Sequence, residues 1–225
     1  ANRLKSQITT NTYISDPGIA DLAQYSLEVL ERKAKPTDNP RQDFLDAIDA
    51  IIFDHQRSQN RQVLSGSELE EYYKRAFFPV VNIMLIGLES QFRAPDIPVL
   101  SYCQGRIYSV RDLNDDWKQG VINIPQEVLT EADLTSHSIF PEVRRNPVVR
   151  NWHRGELLKS RPELLVLQKE LESSGEKITY LMGNGLIKPM LKLVDRYTSV
   201  PFLGKDVQIE RVGSTVIPEL GGKGY

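Results

Sequence analysis

Apolar residues recur at three- and four-residue spacing along most of the chain. Ile19, Leu22, Ala23, Leu27, Leu30 and Ala34 share one face after Asp16-Pro17-Gly18, where a capping Asp and a Pro at the first helical position predict a helix start. Ahead of it, Ala1–Ser15 is polar and reads as an extended lead-in. Pro36 and Pro40 then break the pattern. Phe44, Leu45, Ile48, Ile51, Ile52 and His55 form a second stripe, interleaved with Asp43, Asp46, Asp49 and Asp54. Ser67-x-x-Glu70 matches a capping box and predicts a third helix from about Glu68 to Glu89, which Pro79 should kink. After Pro95 and Pro98, the positions Leu100, Cys103, Ile107, Val110 and Leu113 predict one helix over Val99–Trp117, closed by a left-handed cap at Gly120. Ile122-Asn123-Ile124 reads as extended, and Pro125 opens a short helix to Leu129. Two more helices are predicted, about Glu163–Glu172 and Glu176–Tyr197, the second bent by Gly183, Gly185 and Pro189. The pattern gives an all-α class: a single helical domain over residues 1–202, then a Gly-rich polar tail, 203–225, with Val207–Val212 a candidate strand.

Composition narrows the function classes. Lys+Arg number 28 and Asp+Glu 30, a net charge of −2, which argues against a nucleic-acid partner. Cys103 is the only cysteine, so no intrachain disulfide forms and a reducing, cytoplasmic setting is expected. His55, His137 and His153 lack zinc spacing. The longest uncharged apolar run, Ala76–Leu88, is far short of the roughly 20 residues a membrane span needs. No signal peptide opens the chain, and its start at Ala1 without Met implies that something has been removed. Arg150-Asn151-Trp152-His153-Arg154 reads as an exposed basic cluster, solvated or facing diphosphate or lipid headgroups.

The chemistry-bearing segment is Arg111-Asp112-Leu113-Asn114-Asp115-Asp116-Trp117-Lys118-Gln119-Gly120. On a continuous helix Asp112 and Asp116 would share a face with Cβ atoms about 6 Å apart, close enough for like charges to repel. The negative end of the helix dipole adds to that repulsion. A divalent cation would remove it, because magnesium uses one or two carboxylates together with substrate phosphates and water. Asp115 is near enough to join the rim, and Arg111 and Lys118 could offset the charge or contact a diphosphate. The residues alone also fit a solvated acidic helix end.

Arg111-Asp112-x3-Asp116, followed by Gly120-Val121-Ile122-Asn123-Ile124-Pro125-Gln126-Glu127-Val128-Leu129, resembles the second aspartate-rich motif of the squalene/phytoene synthase family. Glu68-Leu69-x-x-Tyr72 resembles the family's Glu-Leu-x-x-Tyr stretch, and Phe44–Ile48 with Asp54 its Phe-x-x-Leu-Ile helix. The resemblance covers about Asp16–Leu134. It implies a class I isoprenoid synthase, a helical bundle around a central cavity. There magnesium draws the diphosphate off a prenyl diphosphate, leaving an allylic cation that a second prenyl chain captures head to head. By resemblance Asp112, Asp116 and Asp115 hold metal, and Asp112, Asp116 and Tyr72 are catalytic. Arg111, Lys118, Phe77 and Tyr108 then contact substrate. Greasy substrates make peripheral membrane contact compatible, although no anchor is visible; the oligomeric state is not legible.

The sequence also departs from the family pattern. The first aspartate motif, counted back from Asp112, falls before Ala1. Gly105 and Tyr108 stand where the family has Gln and Asn, Lys74 where it has a second Tyr, and Val121 where it has Arg. Phe77-Phe78-Pro79-Val80-Val81 replaces a run of small residues, which would shorten or block a tunnel. These differences leave a divergent prenyltransferase or terpene synthase, a non-catalytic assembly or lipid-binding relative, and a purely structural helical domain as the alternatives.

Overall fold

A computed structural model of the chain describes residues 5, 6, 8, 9 and 17–199. The expected Asp16 cap, the tail and the candidate strand at Val207–Val212 lie outside them. The helices are α1 (Pro17–Lys33), α2 (Pro40–Gln59), α3 (Gly66–Gly87), α4 (Pro98–Arg111), α5 (Leu113–Gln119), α6 (Gln126–Glu131), α7 (Phe140–Arg145), α8 (Pro147–Ser173), α9 (Lys177–Met182) and α10 (Lys188–Ser199). A 3-10 turn, Ala94–Asp96, precedes α4, and a π turn, Gly183–Ile187, joins α9 to α10 where Gly183 and Gly185 loosen the ladder. The described residues contain no strand, only a parallel bridge between Val63 and Ile122.

The lead-in is not extended: residues 5, 6, 8 and 9 are helical. Packing explains the difference. Ile8 is completely buried against Leu27 and Ile48, Arg41 donates to its carbonyl at 2.8 Å, and Lys5 pairs with Asp49 at 2.6 Å. These long-range contacts override a polar local sequence.

The capping box of α3 also lies two residues earlier than expected. Ser65, not Ser67, is the N-cap, and Glu68, not Glu70, closes the box by accepting from the Ser65 N–H at 2.7 Å. Glu127 from the start of α6 reinforces it, accepting from the Gly66 N–H at 3.1 Å, where a carboxylate complements the helix dipole. Asp54 meets Tyr72 at one end of the α2–α3 pair and Asp43 meets Asn82 at the other, so the two helices run antiparallel.

The expected single helix over Val99–Trp117 is two helices that break at Asp112. Asp112, Asn114, Asp115 and Asp116 are weak helix formers whose side chains compete with the backbone. The break also lets the chain change cores. Val110 packs with α3, α8 and α10, whereas Leu113 packs with Trp117, Ile122, Ile124, Leu129 and Val149. Gly120 closes α5 at φ 83°, as expected. A Cβ there would sit 2.5 Å from the Ser58 carbonyl oxygen, so glycine lets the segment after α5 lie directly on the end of α2. Helix α8 starts at Pro147, well before the predicted Glu163, and α7 precedes it.

The central pairing of α4 with α8 is fixed by Arg106. Its side chain is 5 % exposed and faces three carboxylates: Glu163 at 2.7 Å, Glu156 at 3.2 Å and Glu70 at 3.3 Å. Burial raises the Glu156 carboxyl above its ordinary value, against the pull of that arginine. Cys103 lies beside this cluster, and burial pushes its thiol up to about 12, so it is inert packing.

Candidate functional site

The Asp motif opens onto the ends of α2 and α3. Asp112, at the junction of α4 and α5, accepts the N–H groups of Asp115 and Asp116 on its carbonyl, both at 2.9 Å. The break therefore keeps the four-residue link between the two aspartates although they are not in one helix. Its carboxylate takes a two-pronged contact from Arg111, Nε and Nη2 each at 2.7 Å. The Arg111 guanidinium also stacks over the Tyr108 ring at 4.0 Å. Tyr108 in turn meets Phe77 edge-on, with ring centroids 6.0 Å apart.

Asp116 is half-buried and points inward. Its Oδ2 accepts from Asn123 Nδ2 at 2.9 Å. Asn123 Oδ1 accepts from Arg57 Nη2 at 2.5 Å. Arg57 is 1 % exposed. It also donates to the Ile122 carbonyl at 3.2 Å and, through Nε, to Asp54 Oδ1 at 2.8 Å. Asp54 Oδ2 accepts the Tyr72 hydroxyl at 2.8 Å, and the Tyr72 ring lies 4.3 Å from the Arg57 guanidinium. One continuous chain, Tyr72–Asp54–Arg57–Asn123–Asp116, thus joins α3, α2, the segment after α5 and the aspartate motif.

Burial pushes the Asp116 carboxyl up to about 6, and the charge of Asp112 adds to the rise. Burial, with the charge of Asp54 next, also holds the Tyr72 hydroxyl well above the usual phenol range, so it is a protonated donor. Two neighbouring carboxylates, one of them reluctant to ionise, are a donor set that a divalent cation would relieve. Among the described residues no three His, Cys, Asp or Glu side chains come together to hold a metal. Asp112 and Asp116 offer two carboxylates, the number magnesium uses when phosphate and water complete its shell.

The predicted site residues divide into two sets. Asp112, Asp116, Tyr72, Arg111, Phe77 and Tyr108 lie on connected elements around the break. Asp115 and Lys118 form an exposed pair with each other, 3.7 Å apart, and are not joined to the inner network. His153 is not in an exposed basic cluster: it is 2 % exposed, with the Trp152 ring at 4.8 Å, and burial pulls its imidazole down to about 3. It lies on the inner face of α8, in step with Val149, Leu157, Ser160 and Leu164.

Arg57 and Asn123 are the residues sequence reasoning missed. Their signals were an arginine three residues after Asp54 on the helix and a single amide flanked by two isoleucines.

The departures from the family pattern also have a geometry. Gly105 has no room for a Cβ, which would fall 2.2 Å from Cγ of Tyr73, so the Tyr73 ring crosses α4 where the family pattern has a glutamine. Tyr72, Tyr73, Phe77, Tyr102 and Phe53 form one aromatic layer over α4 with Leu64 and Leu69. A hollow of about 320 Å³, lined by Ile97, Pro98, Val99, Pro162 and Val166, lies at the opposite end of α4 and shares none of these residues. Among the described residues no helix is long and apolar enough to cross a membrane.

No curated protein and no solved structure matches the chain. A model of one family does match, squalene/phytoene synthase, over residues 18–156. That stretch runs from α1 into α8 and contains the whole Tyr72–Asp116 network. With more than half of the sequence matched and an all-α bundle that carries the aspartate motif on a helix junction, the chain belongs to the squalene/phytoene synthase family.

Proposed function

We propose that the protein binds and ionises a prenyl diphosphate, as a prenyltransferase or terpene synthase, with the diphosphate held at the α4–α5 junction. The observation that carries this reading is the Asp112–Asp116 pair, in which the second carboxyl is pushed up to about 6 beside the first. Asp112 and Asp116 are the residues that would hold magnesium, which when bound would neutralise charge on the departing diphosphate. Arg111 sits at the same rim and supplies a planar guanidinium suited to phosphate oxygens once released from Asp112. Lys118, 64 % exposed, adds a mobile positive charge nearby. Tyr72 presents its ring and a proton held on the hydroxyl by burial, with Asp54 as the acceptor. The faces of Phe77 and Tyr108 are apolar and electron-rich, so they suit a prenyl chain and the cation that forms from it. The same rings limit the length of chain that fits.

A non-catalytic lipid-binding relative is the second reading. It is favoured by the closed Arg111–Asp112 contact and by Tyr73 filling the space over Gly105. The two readings separate in one experiment. Calorimetric titration of the full-length protein with geranylgeranyl thiodiphosphate, which does not ionise, should show binding that needs magnesium. Asp112→Ala should weaken it by about 10-fold or more. Binding of equal strength in EDTA, unaffected by Asp112→Ala, would support the lipid-binding reading. No binding at all would overturn both.

A further inference from the structure

Asn123 bridges two groups of fixed chemistry. Arg57 offers only donors and an ionised Asp116 only acceptors, so the amide can sit in one sense alone: Oδ1 toward Arg57 and Nδ2 toward Asp116. Arg57 is itself immobilised. Its side chain is wholly buried, Nε is held by Asp54, Nη1 by the Ile122 carbonyl, and its face lies against the Tyr72 ring. Asn123 has little freedom either. It stands between Ile122 and Ile124, both fully buried, in a segment pinned by the bridge to Val63 and by the Gln126 N–H on the Leu64 carbonyl at 2.9 Å. The amide therefore reaches Asp116 from a fixed point and engages Oδ2. Asp116 Oδ1 accepts no hydrogen bond from the described residues.

We infer that Asn123 and Arg57 are positioning residues for Asp116: the buried guanidinium orients the Asn123 amide, which fixes one carboxylate oxygen and presents the other for a cation. This deepens the reading under Proposed function and rests on it. A rotating carboxylate would offer the ion a distribution of oxygens; a tethered one offers a single oxygen. Partners of this kind typically change metal affinity 10–100-fold when removed. The device also links the two halves of the site. Tyr72 and Asp116, on opposite sides of the network, are both tied to the same buried arginine through Asp54 and Asn123.

The test uses full-length protein and manganese as the probe, in the presence of inorganic diphosphate, with free manganese followed by electron paramagnetic resonance. Asn123→Leu keeps the volume and removes the amide. Should it fail to fold, Asn123→Ser removes the bridge while admitting water to Arg57. Either variant should weaken manganese binding about 10–100-fold. Asn82→Leu is the control for a merely structural loss. Asn82 also bridges two groups, Asp43 at 3.2 Å and the Ala94 N–H at 2.7 Å, but it lies at the other end of α3. It should lower the melting temperature and leave manganese affinity at the wild-type value. Wild-type affinity in a folded Asn123 variant overturns the inference, as does an equal loss in Asn82→Leu. Absence of manganese binding in the wild type overturns the metal reading of the site and this inference with it.

Discussion

Replacing Arg57 with methionine should lower the unfolding free energy by about 3 kcal/mol, the range seen when one partner of a buried ionic network is removed. The side chain is 0 % exposed, so the groups it bonds deep in the protein lose their partner where water does not replace it. The Ile122 carbonyl and Asn123 Oδ1 lose their donor, and each unpaired buried polar group costs on the order of 1–3 kcal/mol. Asp54 loses its counter-charge, although its side chain is 34 % exposed and water recovers part of that loss. Methionine fills most of the volume and keeps the contact with the Tyr72 ring, so the cavity contribution is small. For a chain of this length about 3 kcal/mol corresponds to a fall in Tm of about 6–12 °C. Urea unfolding followed by circular dichroism measures it. A change below about 0.5 kcal/mol would mean that Arg57 is not enclosed as described.

The second large effect is acid sensitivity set by His153. Burial holds its imidazole neutral down to about 3, against an ordinary value of 6.5. In the unfolded chain the ring takes up a proton near its ordinary value; in the native protein it does not. The unfolded state therefore binds more protons between these limits, and stability falls as pH drops. The contribution is fully present above pH 6.5 and is lost progressively down to about pH 3, a difference on the order of 5 kcal/mol. Asp43 acts in the opposite sense. Burial raises its carboxyl to about 6, so its contribution favours the native state at low pH and is lost as pH rises through that value. The clean observable is thus the difference between wild type and His153→Leu. The two should be within about 1–2 kcal/mol of each other at pH 8. The balance should then shift steadily toward the variant as pH falls from 6.5 to 4. A difference that does not change with pH would place His153 in contact with water.

Much of this architecture is legible from apolar spacing. The stripes at Ile19–Ala34, Phe44–His55 and Leu100–Val110 become α1, α2 and α4, and Gly120 caps α5 in the left-handed region. What escapes local reading is set by distant partners. Residues 5, 6, 8 and 9 look polar in isolation, and only the pocket made by Leu27 and Ile48 explains a helix there. Ser65 and Ser67 are both competent caps, and the choice is made by Glu68 together with Glu127 from sixty residues away. His153 sits among arginines in sequence, yet a helix turns successive residues by about 100°, so Arg154, one residue on, points away and is exposed, while Arg150, three residues back, is only part-buried on the edge of the same face.

The same limit applies to the site. Asp112, Asp116 and Tyr72 could be picked out because the spacing and the motif name them. Arg57 could not, because its importance comes from Gly120 letting the Ile122–Ile124 segment lie against the end of α2. The break at Asp112 was hidden for a related reason. The run Asp112–Asp116 is compatible with a helix end or a junction, and the decision falls to Leu113 and Trp117, which belong to a different core from Val110.

The most direct test of the account is the release of diphosphate from geranylgeranyl diphosphate by the full-length protein in magnesium, compared with Asp112→Ala and Asp116→Ala. The account predicts release that EDTA abolishes and that each substitution lowers by about 100-fold or more, the loss expected when charge stabilisation at a departing group is removed. Release at the wild-type rate in both variants, or none from the wild type with prenyl chains of C10 to C20, would contradict it.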